Sequence, residues 1–147
     1  MEIRDMRPEE VRSLLDRVHL GRLACVKNGQ PHITPVSFVL DGSNLFAFGT
    51  VGRKIDWMRE NPLVCVAFED IRSAQSWEVV LVEGRYEELA DASDPLYARA
   101  FSLLQKYPMW WEPGYVRIHV EGADRPLKPV YFRIAITSAK GRCARAG

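Results

Sequence analysis

Hydrophobic positions along the chain recur first with a helical period and then with a strand period. In the segment from Pro8 to His19, Val11, Leu14, Leu15 and Val18 fall at i, i+3, i+4 and i+7, so a helix with one apolar face is predicted there. Pro8 suits a first-turn position, Glu9 and Glu10 complement the positive end of the dipole, and Gly21 stands where a helix stop is expected. After it, "RLACVKNGQPHITPVSFVL" carries two extended runs around "KNGQ", and Asn28-Gly29 between apolar runs is a strong hairpin signal. "DGSN" at 41–44 is a second turn, followed by "LFAFG". A meander over about 22–27, 31–40 and 44–49 results. Pro31 and Pro35 fall in its second strand, which suits an edge, a bulge or an opening, and predicts an irregular strand near Pro35.

A short helix over about 54–60 follows and ends at Asn61-Pro62, because a residue before proline is pushed out of the helical region. Strands are predicted at 63–69 and 76–89, the latter with a bulge or bend at Gly84. "DPLYARAFSLLQKY" at 94–107 reads as a helix with Leu96, Tyr97, Ala100, Phe101 and Leu104 on one face. A Trp-rich loop, "PMWWEPG", precedes two more strands in "YVRIHVEG" and "KPVYFRIAITSA", and the basic end 137–147 is expected to be mobile. Six or seven strands joined by short turns, with two or three helices beside them, predict a mostly β protein: an antiparallel sheet closed as a small barrel. There is no βαβ alternation, no repeat and no linker, so residues 1–147 are read as one domain.

Composition narrows the classes. The length of 147 residues, with 47% hydrophobic and 27% charged, fits one globular core. A net charge of +1 gives no electrostatic case for nucleic acid or an anionic membrane. No apolar run approaches a membrane span, and the charged "MEIRDMRPEE" has no signal-like core, so a cytoplasmic location is expected. Cys25, Cys65 and Cys143 are odd in number and far apart, which argues against a disulfide framework. His19, His32 and His119 lack ligand spacing, so no metal site is expected.

The positive chemical signal is "FAFGTVGRKIDWM". A strand ends at Phe48, Gly49 and Thr50, the chain turns through Gly52, and a helix opens on Arg53-Lys54. Unpaired N–H groups and a positive dipole already favour an anion at a helix start. Two cations there add a fork and a point charge for a phosphate. The neighbouring strand, with Thr34, Pro35, Val36, Ser37 and Phe38, is expected to pair with "NLFAFGT", which puts Val36, Ser37 and Phe38 near Phe46 to Gly49, and its main chain, freed locally by Pro35, can receive a flat heterocycle.

The ordered series "GRLACVKNGQPHITPVSFVLDG", "LFAFGTVGRKIDWMRENPLVCVAFE" and "WEVVLVEGRYEEL" resembles the FMN-binding split-barrel proteins related to pyridoxamine 5′-phosphate oxidase. Within them it is most similar to the branch of the nitroimidazole-resistance proteins. The resemblance covers residues 3 to 90 well and the last third loosely. It implies a homodimeric split barrel with FMN at the subunit interface. It also implies that Arg53 and Lys54 hold the phosphate, that Gly49 and Thr50 line the ribityl path, and that Thr34 to Val39 run beside the ring. Trp77 matches a Trp-x-Ser-Val run of relatives, but Val79 stands where the Ser would be. Other branches bind F420 or haem, which remain alternatives.

No catalytic acid, base or nucleophile is forced by the sequence. That fits a flavoprotein, whose cofactor carries the redox chemistry. The expected activity is an oxidoreductase passing electrons from NAD(P)H to a small electron-poor molecule. The alternatives are a flavin carrier or sensor without turnover and a small β-barrel interaction protein without cofactor. His32 is a candidate to face the substrate. Trp110 and Trp111 are candidates to cover a ring or to line the dimer interface.

Overall fold

A computed structural model describes residues 1–107 and 129–146. The fold is a split antiparallel β-barrel of eight strands with three helices at its side. The elements in chain order are β1 (Glu2–Asp5), α1 (Pro8–Arg17), β2 (Leu20–Lys27), β3 (Gln30–Ser37), β4 (Val39–Asp41) and β5 (Asn44–Thr50). They continue with α2 (Arg53–Glu60), β6 (Leu63–Ser73), β7 (Ser76–Leu89), α3 (Pro95–Leu104) and β8 (Pro129–Arg145). The sheet runs β3-β2-β6-β7-β8-β5-β4, with β1 added to β8.

The hairpin signal forms as its chemistry requires. Asn28 and Gly29 both have positive φ, 51° and 76°, which matches the right-handed strand twist, and Lys27 pairs with Gln30 across the turn. The predicted run 31–40 breaks at Phe38, not at Pro35. Up to Ser37 the chain is paired with β2, and from Val39 it is paired with β5. The N–H of Phe38 donates to the carbonyl of His19 at 2.8 Å, which makes Phe38 and His19 a hydrogen-bonded pair. Alternation along the ladder then turns the amide positions of Pro31, Ile33, Pro35 and Ser37 toward the open edge. Pro35 is accommodated because its missing donor faces no partner strand.

Phe38 is 1% exposed and meets Phe68 and Phe132 edge to face, at 5.9 and 6.5 Å between ring centres. Around it Leu23, Val36, Leu45, Val66, Val82 and Ile134 fill the barrel, and Leu14 and Leu15 of α1 close one side. A smaller cluster of Val39, Phe46, Leu89, Ala100 and Leu104 seats α3 on the outside.

Several details differ from the sequence expectation. Residues 137–145, expected to be mobile, form the second half of β8, paired with β7 and β1. The small residues Gly141, Cys143 and Ala144 are buried there, while Lys140, Arg142 and Arg145 are exposed. Gly21 does not stop α1. It lies inside β2, where an added Cβ would stand 2.7 Å from Val66. β1 was not anticipated. The bulge near Gly84 places its extra residue on the other strand: Glu83 pairs with Ser138 and Gly84 with Ile136, leaving Thr137 over. "YVRIHVEG", Trp110, Trp111 and His119 lie outside the described residues.

A Cβ at Gly84 would stand 2.5 Å from Ile134 Cγ2 and 2.7 Å from the carbonyl oxygen of Ala135, which is backbone and cannot swing away. Gly84→Ala is expected to lower stability by about 1–3 kcal/mol through overpacking, read as a lower urea midpoint at unchanged slope.

Candidate functional site

Two residues, Val51 and Gly52, separate the end of β5 from the start of α2, so Arg53 and Lys54 stand close in the chain to Gly49 and Thr50 at the end of the barrel strand. Gly52 caps the helix with extended backbone and accepts the Asp56 N–H at 3.0 Å. Ile55 and Met58 are fully buried and fix the roll of the helix. That roll leaves Arg53 on the outside with Trp57 one turn later. The Arg53 guanidinium lies 5.8 Å from the Trp57 ring centre, and no acid pairs with it among the described residues. Trp57 in turn meets the ring of His32 on β3 edge to face at 5.6 Å.

The far end of α2 is tied on two sides. Lys27 of β2 reaches Glu60 at 3.0 Å. Arg59 grips Glu88 of β7 through two nitrogens, at 2.8 and 3.3 Å, and the hydroxyl of Tyr86 donates to the same carboxylate at 2.7 Å. The Arg59 hydrogen bond holds the Glu88 carboxyl below its ordinary range, and burial pushes the Tyr86 phenol up.

The predicted site residues do not share one environment. On β3, Thr34 and His32 are half-buried on the face turned to α2, and Pro35 points outward. Val36, Ser37 and Phe38 are buried, and the side chains of Val36 and Phe38 belong to the barrel interior, while Ser37 falls on the alternate strand face. Gly49 is buried and Thr50 half-buried at the end of β5. Phe48 turns to the other face of β5, against Tyr131 at 5.7 Å beside α3. His19 is occupied at the corner, where its Nδ1–H donates to the Phe38 carbonyl at 3.0 Å.

Trp77 lies elsewhere. Thr50 pairs with Pro129 at one end of β8, and Trp77 pairs with Ala144 at the other. At about 3.3 Å per residue that is roughly 50 Å along the curled strand. Trp77 instead lines a cavity of about 1300 Å³ with Val11 and Leu15 of α1, Val79 and Leu81 of β7, and Ile136 of β8. Sequence reasoning passed over Trp57 and took His32 as a candidate to face the substrate, not as a neighbour of Trp57. Their signals were the i, i+4 spacing of Arg53 and Trp57 and the place of His32 two residues before Thr34 on the same strand face.

A curled antiparallel sheet with a cationic helix start beside a free strand edge defines a split-barrel protein. The chain matches the pyridoxamine 5′-phosphate oxidase family over residues 7–143 and belongs to it. It is 36% identical over 149 residues to an uncharacterized protein of Rhizobium meliloti, covering 100% of this chain and 99% of that one. A solved FAD-binding protein from Mesorhizobium loti is 35% identical, with a TM-score of 0.80 and 99% of each chain covered. A structure from Bacteroides thetaiotaomicron, described as a candidate 5-nitroimidazole antibiotic resistance protein, shares the fold. Its TM-score is 0.69 at 14% identity, covering 97% of this chain and 89% of that one. No helix among the described residues is long and apolar enough to cross a membrane, and no cluster of three or more metal-ligating side chains occurs among them.

Glu88→Gln is expected to cost about 1 kcal/mol at neutral pH, since it removes an ion pair that is only partly shielded. A carboxylate held low in the folded state stabilises above its unfolded pKa of about 4.3, and that contribution fades as pH falls. Urea midpoints of wild type and Glu88→Gln should therefore differ at pH 7 and converge below pH 4.

Proposed function

We propose that this chain is a flavin-nucleotide-binding protein that takes FMN. In this reading Arg53 and Lys54 hold the phosphate at the start of α2, and Gly49 and Thr50 leave room for the ribityl chain. The free edge of β3 offers main-chain groups to the ring. The observation that carries the reading is Arg53: a guanidinium at a helix start, where the dipole disfavours a cation, with no acid paired to it among the described residues. A bound phosphate supplies the missing anion. Membership of the family and the FAD-binding relative at 35% identity support a flavin nucleotide. FAD is the second reading on that ground, because the same socket suits its diphosphate.

Bound flavin would supply hydride and electron chemistry, and the protein would contribute binding, orientation and exclusion of water. The proposed activity is transfer of electrons from NAD(P)H to a small electron-poor molecule. The assembly proposed is a homodimer with the cofactor at the subunit interface. Two features support it. Trp77 and the start of α2 lie at opposite ends of β8, so in this reading the Trp77 that meets the nucleotide belongs to the second copy. The outer sheet face also carries cross-strand rows of apolar residues, with Ile33 opposite Ala24 and Cys65, and Ala67 opposite Leu81. Ile33, Leu63 and Leu81 are 63%, 64% and 59% exposed there, and clustered exposed apolar residues suit an interaction surface.

The absorbance of the purified protein after incubation with FMN, FAD, F420 or haem tests the cofactor directly, and a flavin spectrum with FMN is expected. Arg53→Ala with Lys54→Ala should weaken FMN binding by about 2–3 kcal/mol, on the order of 100-fold, allowing for solvent screening of Arg53. Unchanged affinity rejects the phosphate socket. Leu81→Asp places a charge in the proposed interface, and light scattering should then report a monomer where the wild type gives a dimer.

A further inference from the structure

Three side chains from two elements form a continuous stack at the mouth: His32 of β3, Trp57 of α2 and Arg53 at the start of the same helix. Arg53 and Trp57 are one helical turn apart, so they share a face. The guanidinium lies 5.8 Å from the indole centre, within cation–π range. The indole meets the His32 ring at 5.6 Å with the planes 62° apart, an edge-to-face contact. The lower side of Trp57 packs on the barrel core, so the ring is held from below, and His32 borders it from β3.

An arginine at this position has every reason to swing. It is exposed, it repels the helix dipole, and no hydrogen bond or ion pair restrains it among the described residues. Among the described residues the indole is its one restraint. It keeps the guanidinium on the side of α2 that faces the free edge of β3.

We infer that Trp57 is the positioning residue for Arg53, with His32 steadying the indole, and that this stack sets the preference for phosphorylated over unphosphorylated flavin. The inference rests on the phosphate reading of Arg53. It extends that reading to Trp57 and His32, which act through Arg53 and not on the phosphate itself. Trp57 acts through Arg53 and contributes by limiting its conformations before a phosphate arrives, which reduces the ordering cost of binding.

The test measures dissociation constants for FMN and for riboflavin by quenching of flavin fluorescence, in wild type, Arg53→Ala, Trp57→Leu, Trp57→Phe and His32→Ala. Trp57→Leu should weaken FMN about two- to fivefold, the size of an exposed cation–π contact, and leave riboflavin unchanged. Trp57→Phe should recover part of the loss, and His32→Ala should show a smaller loss of the same kind. If Trp57→Leu fails to fold, Trp57→Phe and His32→Ala carry the comparison. Equal weakening of FMN and riboflavin would mean a merely structural role and overturns the inference. So does a silent Trp57→Leu beside an Arg53→Ala that still loses FMN, which leaves the phosphate reading standing. A wild type that binds FMN no tighter than riboflavin overturns both.

Discussion

The architecture depends on a single residue having to leave one ladder and enter another. Phe38 is all that separates β3, paired with β2 at one end of the sheet, from β4, paired with β5 at the other end. The sheet must therefore curl until its two ends meet at that residue. Phe38 meets the requirement with both its backbone and its side chain. Its N–H and carbonyl are taken by His19, and its ring is the centre of the aromatic packing with Phe68 and Phe132. Leaving those backbone groups unpaired in the interior would cost on the order of 1–3 kcal/mol each. The corner is thus held by the same residue that fills the core beneath it.

That corner also creates the candidate site. Because the ends of the sheet meet without a ladder between them, β3 keeps a free edge next to the end of β5, where α2 begins. The edge is blunted by Pro31 and Pro35, which remove two of the four outward amide positions. What remains is a short row of main-chain groups beside a cationic helix start. α2 itself has little freedom. Ile55 and Met58 bury its inner face, Lys27–Glu60 ties it to β2, and Arg59–Glu88 ties it to β7. A mobile arginine on a fixed helix needs only a local restraint, and Trp57 provides one.

Much of this was legible in the sequence where local chemistry leaves little choice. Asn28-Gly29, the DGSN turn, the Asn61-Pro62 stop and the long strand over 76–89 all follow from turn geometry or period. Pairing partners were not legible, because they depend on which ends of the sheet meet. The run 31–40 read as one strand, since nothing local marks Phe38 as the crossing point. Gly21 read as a helix stop because the signal for a stop and the signal for a tight strand under Val66 and Phe68 are the same missing side chain. The C-terminal end read as mobile because "KGRCARAG" is basic and short of large apolar groups. Yet it alternates charged and small residues, and small residues suffice when α1 and Met6 pack against the strand, as at Gly141.

The site divides along the same line. Arg53 and Lys54 were visible because their spacing after Gly49-Thr50 and before Asn61-Pro62 is local. Trp77 was grouped with them by resemblance, and the register of β8 places it at the opposite end of the sheet. Trp57 was overlooked because an aromatic on a short amphipathic helix is normally read as core. It is partly core, and that is what gives it its second use. An aromatic ring anchored from below by the barrel, bordered by His32 and topped by a cation is stiffer than a surface residue and better exposed than a buried one. Those are the two properties a platform for an arginine needs. An aliphatic residue at that position would satisfy the packing and leave the guanidinium unrestrained.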